Sequence, residues 1–137
     1  LLQAVRELAG DRKLVLLFGC GGDRDKGKRP QMGEIAARLA DETILTSDNP
    51  RSEQPSAILN DIERGMSGAK QYKRIPDRRE AIARAIDAGG AGTVIVIAGK
   101  GHETYQVIGD QVVHFDDREE AELALKKLHA KEVRKEN

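Results

Sequence analysis

The stretch that decides the fold is Leu14-Val15-Leu16-Leu17-Phe18-Gly19, five apolar residues in a row followed by a glycine. A strand that is apolar at every position is typical of a parallel sheet covered on both faces, because none of its side chains faces water. Residues 93–98 form a second run of this kind, and their β-branched side chains favour a strand at the centre of the sheet.

Strands and helices alternate along the rest of the chain. Met32, Ile35 and their helical repeat predict an inward-facing helix over residues 31–40, and Asp77 with Glu80 forms a capping box that opens another. The other predicted elements are helices at the start of the chain, over 55–64 and from residue 117, strands over 43–46 and 72–75, and a hairpin over 105–108 and 111–115. The pattern predicts an α/β fold: a Rossmann-like, doubly wound, mostly parallel sheet with an antiparallel hairpin near the C-terminus.

Length and composition limit the classes of protein to consider. The 137 residues suit one domain, which we place at residues 1–130 with a charged tail at 131–137. The 23 basic and 23 acidic residues cancel, and no apolar run reaches membrane length, so we expect neither a nucleic acid nor a membrane partner. The single Cys20 gives no support to a disulfide or a thiolate zinc site, and we expect a cytoplasmic protein. Because the chain starts at Leu1 rather than Met, we expect it to be part of a longer protein.

Three polar, glycine-containing segments follow predicted strands, at residues 19–29, 47–53 and 99–103. The carboxyl ends of parallel strands share one edge of a sheet, and ligands of such folds bind there. We therefore expect the three segments to form one binding site.

The first segment carries four cations within six residues, namely Arg24, Lys26, Lys28 and Arg29. Gly22, Gly27 and Lys28 match a phosphate-binding P-loop, but Arg29 stands where that loop needs a hydroxyl to bind magnesium. Two interpretations remain: a turn with a solvated cluster of charges, or a loop in which at least one cation contacts an anion.

The other two segments offer groups for an amino-acid head group. Arg24 and Arg51 suit carboxylates, Glu103 suits an amine, and Asn49 suits either. Turn formation alone also explains residues 48–51, and we expect His102 to be structural. These side chains predict a site for a small zwitterion with more than one carboxylate; no catalytic residue and no metal site are predicted.

The same segments resemble the C-terminal domain of the Mur ligase family, in the branch called MurE. The resemblance rests on GCGGDRDKGKRPQMG at residues 19–33, TSDNPRSE at 46–53, AGKGHETYQ at 98–106 and HFDDRE at 114–119, and it covers nearly the whole chain. It implies a ligase of peptidoglycan biosynthesis that adds meso-diaminopimelate to a UDP-MurNAc dipeptide. It also implies that ATP and Mg²⁺ are bound mainly by a central domain that these residues do not include.

The resemblance also implies roles for individual residues. Arg24, Asn49, Arg51, Gly99 and Glu103 match the family's contacts to meso-diaminopimelate, and Arg51 matches the residue that separates this substrate from lysine. Lys26, Lys28 and Arg29 are candidates for stabilising the loop or for approaching the nucleotide. The domain alone is expected to be inactive and to need no cofactor. Two alternatives stay open: a small phosphate- or nucleotide-binding, kinase-like domain, and a stand-alone amino-acid-binding module.

Overall fold

The structure is a computed structural model that describes residues 2–100 and 103–136. Its helices are α1 (Leu2–Ala9), α2 (Lys28–Leu39), α3 (Pro55–Glu63), α4 (Arg78–Ala88) and α5 (Asp117–Glu136). Its strands are β1 (Leu14–Phe18), β2 (Glu42–Leu45), β3 (Tyr72–Arg74), β4 (Val94–Ile97), β5 (Tyr105–Ile108) and β6 (Gln111–His114). A short 3-10 helix, Met66–Gly68, follows α3. The predicted alternation of strands and helices is confirmed.

A four-stranded parallel sheet forms the centre of the described structure, with the strand order β3-β2-β1-β4. Leu17 of β1 lies between Ile44 of β2 and Ile97 of β4, which sets the register of the three strands. Every residue of β1 is buried, as its unbroken apolar run predicts. The predicted α/β class and parallel sheet are confirmed.

Strand β4 lies at the edge of this sheet, so the prediction that it would be central was wrong. Its residues are half-buried, whereas those of β1 are fully buried. Val96 packs against the core on one face of the sheet, and Ile95 and Ile97 pack against the core on the other. The apolar run therefore indicates that both faces of the strand are covered. It does not indicate that the strand has a neighbouring strand on each side.

The core consists of two layers, one on each face of the sheet. On one face, Leu16 and Phe18 pack against α2 and α3, with Ile62 fully buried between them. On the other, Leu17 packs against α4, where Ile82 is fully buried, and α5 lies beside α4. Burying a side chain of this size contributes about 2 kcal/mol relative to leaving it exposed. The two layers hold the strand ends, and hence the loops that follow them, in place.

Met32 and Ile35 of α2 are 42% and 41% exposed, although their helical spacing predicts an inward face. They line an apolar groove of about 330 Å³, together with Phe18 and Val96. Helical spacing identifies the face of a helix that is apolar, but it does not show whether a neighbouring element covers the whole of that face.

The predicted hairpin of β5 and β6 is confirmed, and it forms a sheet of its own. It joins the rest of the structure through an isolated parallel bridge between Ile108 and Arg51, in the loop after β2. Phe115, which follows β6, is buried beside α4. The hairpin is thereby fixed beside the edge of the parallel sheet where ligands are expected.

Helix α5 runs to Glu136, so the boundary predicted at residue 130 falls inside a continuous helix. Within the described ranges, no helix has both the length and the apolar content needed to cross a membrane.

Candidate functional site

The segment after β2, residues 48–51, lies at the centre of the carboxyl edge of the sheet. The hairpin holds it through the backbone of Arg51, whose N–H donates to Val107 O at 3.0 Å and whose carbonyl accepts from Gly109 N at 2.7 Å. Gln106 Nε2 donates to Asp48 O at 2.7 Å. The loop after β1 holds it from the opposite side, where Gly22 N donates to Asn49 O at 2.7 Å. Backbone contacts from two elements therefore fix this segment.

Asn49 is 2% exposed, and its side-chain amide is oriented by its neighbours. Its Oδ1 accepts from Val107 N at 2.9 Å and from Lys100 Nζ at 3.4 Å. Because Oδ1 faces these two donors, Nδ2 points the other way and donates to Glu103 Oε1 at 3.4 Å. The structure thus brings together two of the predicted site residues, Asn49 and Glu103.

Arg51 has a positive φ of 53°, the left-handed conformation that residues with a Cβ rarely adopt. This conformation costs about 1 kcal/mol, and the bridge to Ile108 on the hairpin maintains it. The Arg51 side chain turns toward the loop after β1, where Nη1 donates to Gly22 O at 3.0 Å. Within the described residues, Nη2 makes no hydrogen bond.

Gly21 and Gly22 let the first loop approach Arg51 closely. A Cβ on Gly22 would overlap the carbonyl oxygen of Pro50. A Cβ on Gly21 would lie 2.9 Å from Arg51 Nη1 and 3.4 Å from Arg24 Cγ. Arg24 is exposed and stands on the same side of Gly21 as Arg51. The two arginines predicted to bind carboxylates are therefore neighbours.

Gly99 follows β4 and has a φ of +111°, which only glycine adopts readily. It faces Asp48, since a Cβ built on Gly99 would lie 3.6 Å from Asp48 Oδ2. Glu103 is half-buried, and Tyr105 OH donates to its Oε2 at 3.2 Å. His102 lies outside the described residues. Gly99 and Glu103 thus reach the same edge of the sheet as Asn49.

Lys100 is a buried cation that the sequence did not identify as part of the site. It is 2% exposed, and its Nζ contacts Asn49 Oδ1 and the carbonyl oxygen of Tyr105. Burial lowers the pKa of Lys100, while the nearby Asp48 and Glu103 oppose that shift. Burial likewise raises the pKa of Asp48, against the attraction of Arg78 and Lys100. A lysine between two glycines carries no pattern that distinguishes a buried ammonium from an exposed one.

Arg29 differs from the other cations of its loop because it is 1% exposed. Its Nη1 and Nη2 donate to the two carboxylate oxygens of Glu53, at 3.0 and 2.8 Å. Nη1 also donates to Asp61 Oδ2 at 3.0 Å, and Nη2 donates to Gly21 O at 3.0 Å. The guanidinium lowers the pKa of Glu53 to about 2, with help from Asp23 N–H, so Glu53 is ionised at neutral pH. Arg29 therefore ties the loop after β1 to the loop after β2.

Lys26 and Lys28 are exposed and, within residues 2–100 and 103–136, form no hydrogen bond or ion pair through their side chains. The geometry of the loop does not fit a P-loop for ATP and magnesium. Arg29, at the position that a P-loop fills with a magnesium-binding hydroxyl, is buried in ion pairs. Across the described residues, no group of three His, Cys, Asp or Glu side chains is arranged to hold a metal ion.

Comparison with known proteins places these loops in a family. The family model described as "Mur ligase, glutamate ligase domain" matches residues 1–101. The UDP-N-acetylmuramoyl-L-alanyl-D-glutamate--2,6-diaminopimelate ligase of Listeria innocua serovar 6a is 54% identical over 126 residues, which make up 92% of this chain and 26% of the relative. The ligase of the same description from Thermosynechococcus vestitus is 58% identical over 114 residues, or 83% of this chain and 23% of the relative.

A solved structure of a ligase with this description superposes with a TM-score of 0.82 and 42% sequence identity. The superposition covers 93% of this chain and 28% of the solved one. The chain spans about a quarter of the length of the curated relatives it matches. Sequence and structure agree, and the chain belongs to the Mur ligase family, within which it represents the glutamate ligase domain.

Proposed function

We propose that this chain is the amino-acid-binding domain of an ATP-dependent ligase that adds meso-diaminopimelate to UDP-MurNAc-L-Ala-D-Glu in peptidoglycan synthesis. The observation that carries the proposal is that cationic and anionic side chains occupy different positions along one edge of the sheet. Arg51 Nη1 and the Arg24 side-chain stem both lie beside Gly21, and Glu103 contacts Asn49, two residues before Arg51. Arginine suits carboxylates and a carboxylate suits an ammonium group, so this arrangement complements an amino acid with a second carboxylate.

Arg51 is the proposed discriminator between diaminopimelate and lysine. Its side chain is half-buried and donates to Gly22 O, and its backbone is fixed by the hairpin, which holds the guanidinium at this edge of the sheet. A ligand without the second carboxylate leaves this guanidinium partly desolvated and unpaired, which penalises lysine. Asn49 and Glu103 hold the ammonium end, while Gly99 lets the ligand approach the backbone closely.

The proposed reaction requires groups that lie outside these residues. ATP and Mg²⁺ would be bound by another part of the ligase, since the loop at residues 19–29 does not fit them. The UDP-MurNAc dipeptide would likewise be carried by other domains, and we place the whole enzyme in the cytoplasm. This domain contributes the incoming amine, held in one orientation so that it can attack the activated carboxyl group. It is inactive on its own.

Calorimetric titration of this chain with meso-diaminopimelate, with lysine as the competing ligand, tests the proposal. We expect diaminopimelate to bind and lysine to bind much more weakly, and we expect Arg51→Ala to remove this preference. Arg38→Ala, which removes an exposed cation on α2, is the matched control and should bind as the unaltered chain does.

A chimaera covers the case in which the site closes only in the whole enzyme. The matching part of the Listeria innocua ligase is replaced by this chain, and KM is measured for diaminopimelate and for lysine. Equal use of the two amino acids by the chimaera, or an Arg51→Ala chimaera that still prefers diaminopimelate, would overturn the proposal.

A further inference from the structure

The HFDDRE motif at residues 114–119 contains a buried carboxylate. Its Asp117, the first residue of α5, is 8% exposed, which is unusual for a carboxylate. Its partner is Arg78, the first residue of α4, which is 1% exposed. Arg78 Nε and Nη2 donate to the two carboxylate oxygens of Asp117 at 2.8 and 2.7 Å. This is a bidentate, buried ion pair.

The Arg78 guanidinium also contacts the ends of two strands. Nη1 donates to Ser47 O at 3.0 Å, and Nη2 donates to Ala98 O at 3.1 Å. Ser47 directly precedes the segment that holds Asn49 and Arg51, and Ala98 directly precedes Gly99. One side chain therefore contacts the last residue before each of two site segments.

These two strand ends have no ladder between them. β1 separates β2 from β4 in the sheet, which places the two strands about 10 Å apart. Beyond the end of β1 at Phe18, Gly19 lies between the two strand ends: a Cβ built on Gly19 would overlap Thr46 O, and Gly19 O lies 3.6 Å from a Cβ built on Gly99. The planar guanidinium of Arg78 donates in fixed directions, so it adds a side-chain link between the Ser47 and Ala98 carbonyl groups.

We infer that Arg78 and Asp117 form a positioning pair for the amino-acid site. Arg78 sets the spacing between the Asn49 segment and the Gly99 segment, and Asp117 holds the Arg78 guanidinium in the required plane. Neither residue touches the ligand. The inference rests on the proposed function for its effect on binding, but the spacing itself is a property of the chain that can be measured without a ligand.

The experiment uses Asp117→Asn, which keeps the shape of the side chain and removes its charge, and Arg78→Lys, which keeps the charge and removes the fork. Asp87→Asn is the matched control, since it alters an exposed ion pair with Lys131. Thermal denaturation first identifies a temperature at which all variants are folded. Amide spectra and the affinity for meso-diaminopimelate are then measured at that temperature.

In both test variants we expect the amide resonances of Asp48 and Gly99 to shift, because these residues follow the two carbonyl groups. We expect the affinity to fall on the order of 10-fold, the effect of losing a residue that orients a binding group. The Asp87→Asn variant should leave the resonances and the affinity unchanged.

A folded Asp117→Asn variant with unshifted Asp48 and Gly99 resonances and full affinity would overturn the inference, even if its melting temperature were lower. If the unaltered chain binds no diaminopimelate, the chimaera described above tests the proposed function. The amide resonances alone then decide whether the pair sets the spacing.

Discussion

Residues 48–51 and residues 23–28 lie next to each other at the carboxyl edge of the sheet, but they are held very differently. The first segment is fixed by backbone hydrogen bonds to the hairpin and to Gly22. In the second, the side chains of Arg24, Lys26 and Lys28 are all exposed. In the proposed site, Asn49 and Arg51 are on the fixed segment, whereas Arg24 is on the exposed segment, whose cations also attract an anion at longer range.

Arg29 links the two segments, and we expect its removal to lower the free energy of unfolding more than any other change proposed here. Arg29→Ala leaves Glu53 without its arginine and leaves Asp61 with only the exposed Arg64. We expect the free energy of unfolding to fall by about 3 kcal/mol. This is a low value for breaking a buried ion pair, because both carboxylates keep some contact with water. Urea denaturation measures the change. The neighbouring exposed cation provides the control: Lys28→Ala should change the value by no more than about 0.5 kcal/mol. Similar losses of stability in the two variants would show that Arg29 and Lys28 contribute equally to stability, and would contradict the comparison.

Gly22 tests whether close backbone packing holds the fixed segment. A Cβ at this position would overlap Pro50 O, so Gly22→Ala must push the two loops apart and weaken the hydrogen bond from Gly22 N to Asn49 O. We expect a loss of about 2 kcal/mol in stability, the usual cost of forcing extra atoms into a packed region. Gly90→Ala, where nothing lies within 4 Å of the new Cβ, should show no such loss. A stable Gly22→Ala variant would mean that the loops are loosely joined.

Substitutions of Arg51 should give the smallest change in stability. The difference between two of them measures the cost of the positive φ at this position. Both Arg51→Gly and Arg51→Ala remove the guanidinium, but only glycine adopts a φ of 53° readily. We expect the glycine variant to be more stable than the alanine variant by about 1 kcal/mol in thermal or urea denaturation. Equal stability of the two variants would show that the segment relaxes to an ordinary φ once the side chain is gone.

The positions of the site loops could be predicted because the carboxyl ends of parallel strands share one edge. This reasoning places Asn49 near Glu103 although 54 residues separate them in the chain. The same reasoning could not place β4 at the edge of the sheet. An apolar run such as Val94–Ile97 indicates that both faces of a strand are covered, but it does not give the number of neighbouring strands.

The roles of the buried cations could not be predicted. Four cations lie within residues 24–29, the last two of them in the first turn of α2, and nothing in their spacing shows that Arg29 alone turns inward. Its partners, Glu53 and Asp61, are 24 and 32 residues away. Similarly, Asp117 is in the position of a residue that starts a helix, and only the packed structure shows that it pairs with Arg78, 39 residues earlier.

The attachment of residues 48–51 to the hairpin has a consequence for synthesis on the ribosome. Asn49 Oδ1 accepts from the N–H of Val107, which is made 58 residues later. The strands β1 to β4 are complete before either strand of the hairpin exists, so the parallel sheet can form first. Residues 48–51, in contrast, reach their final conformation only after β5 has left the ribosome, so the proposed ligand site is among the last parts of this domain to mature.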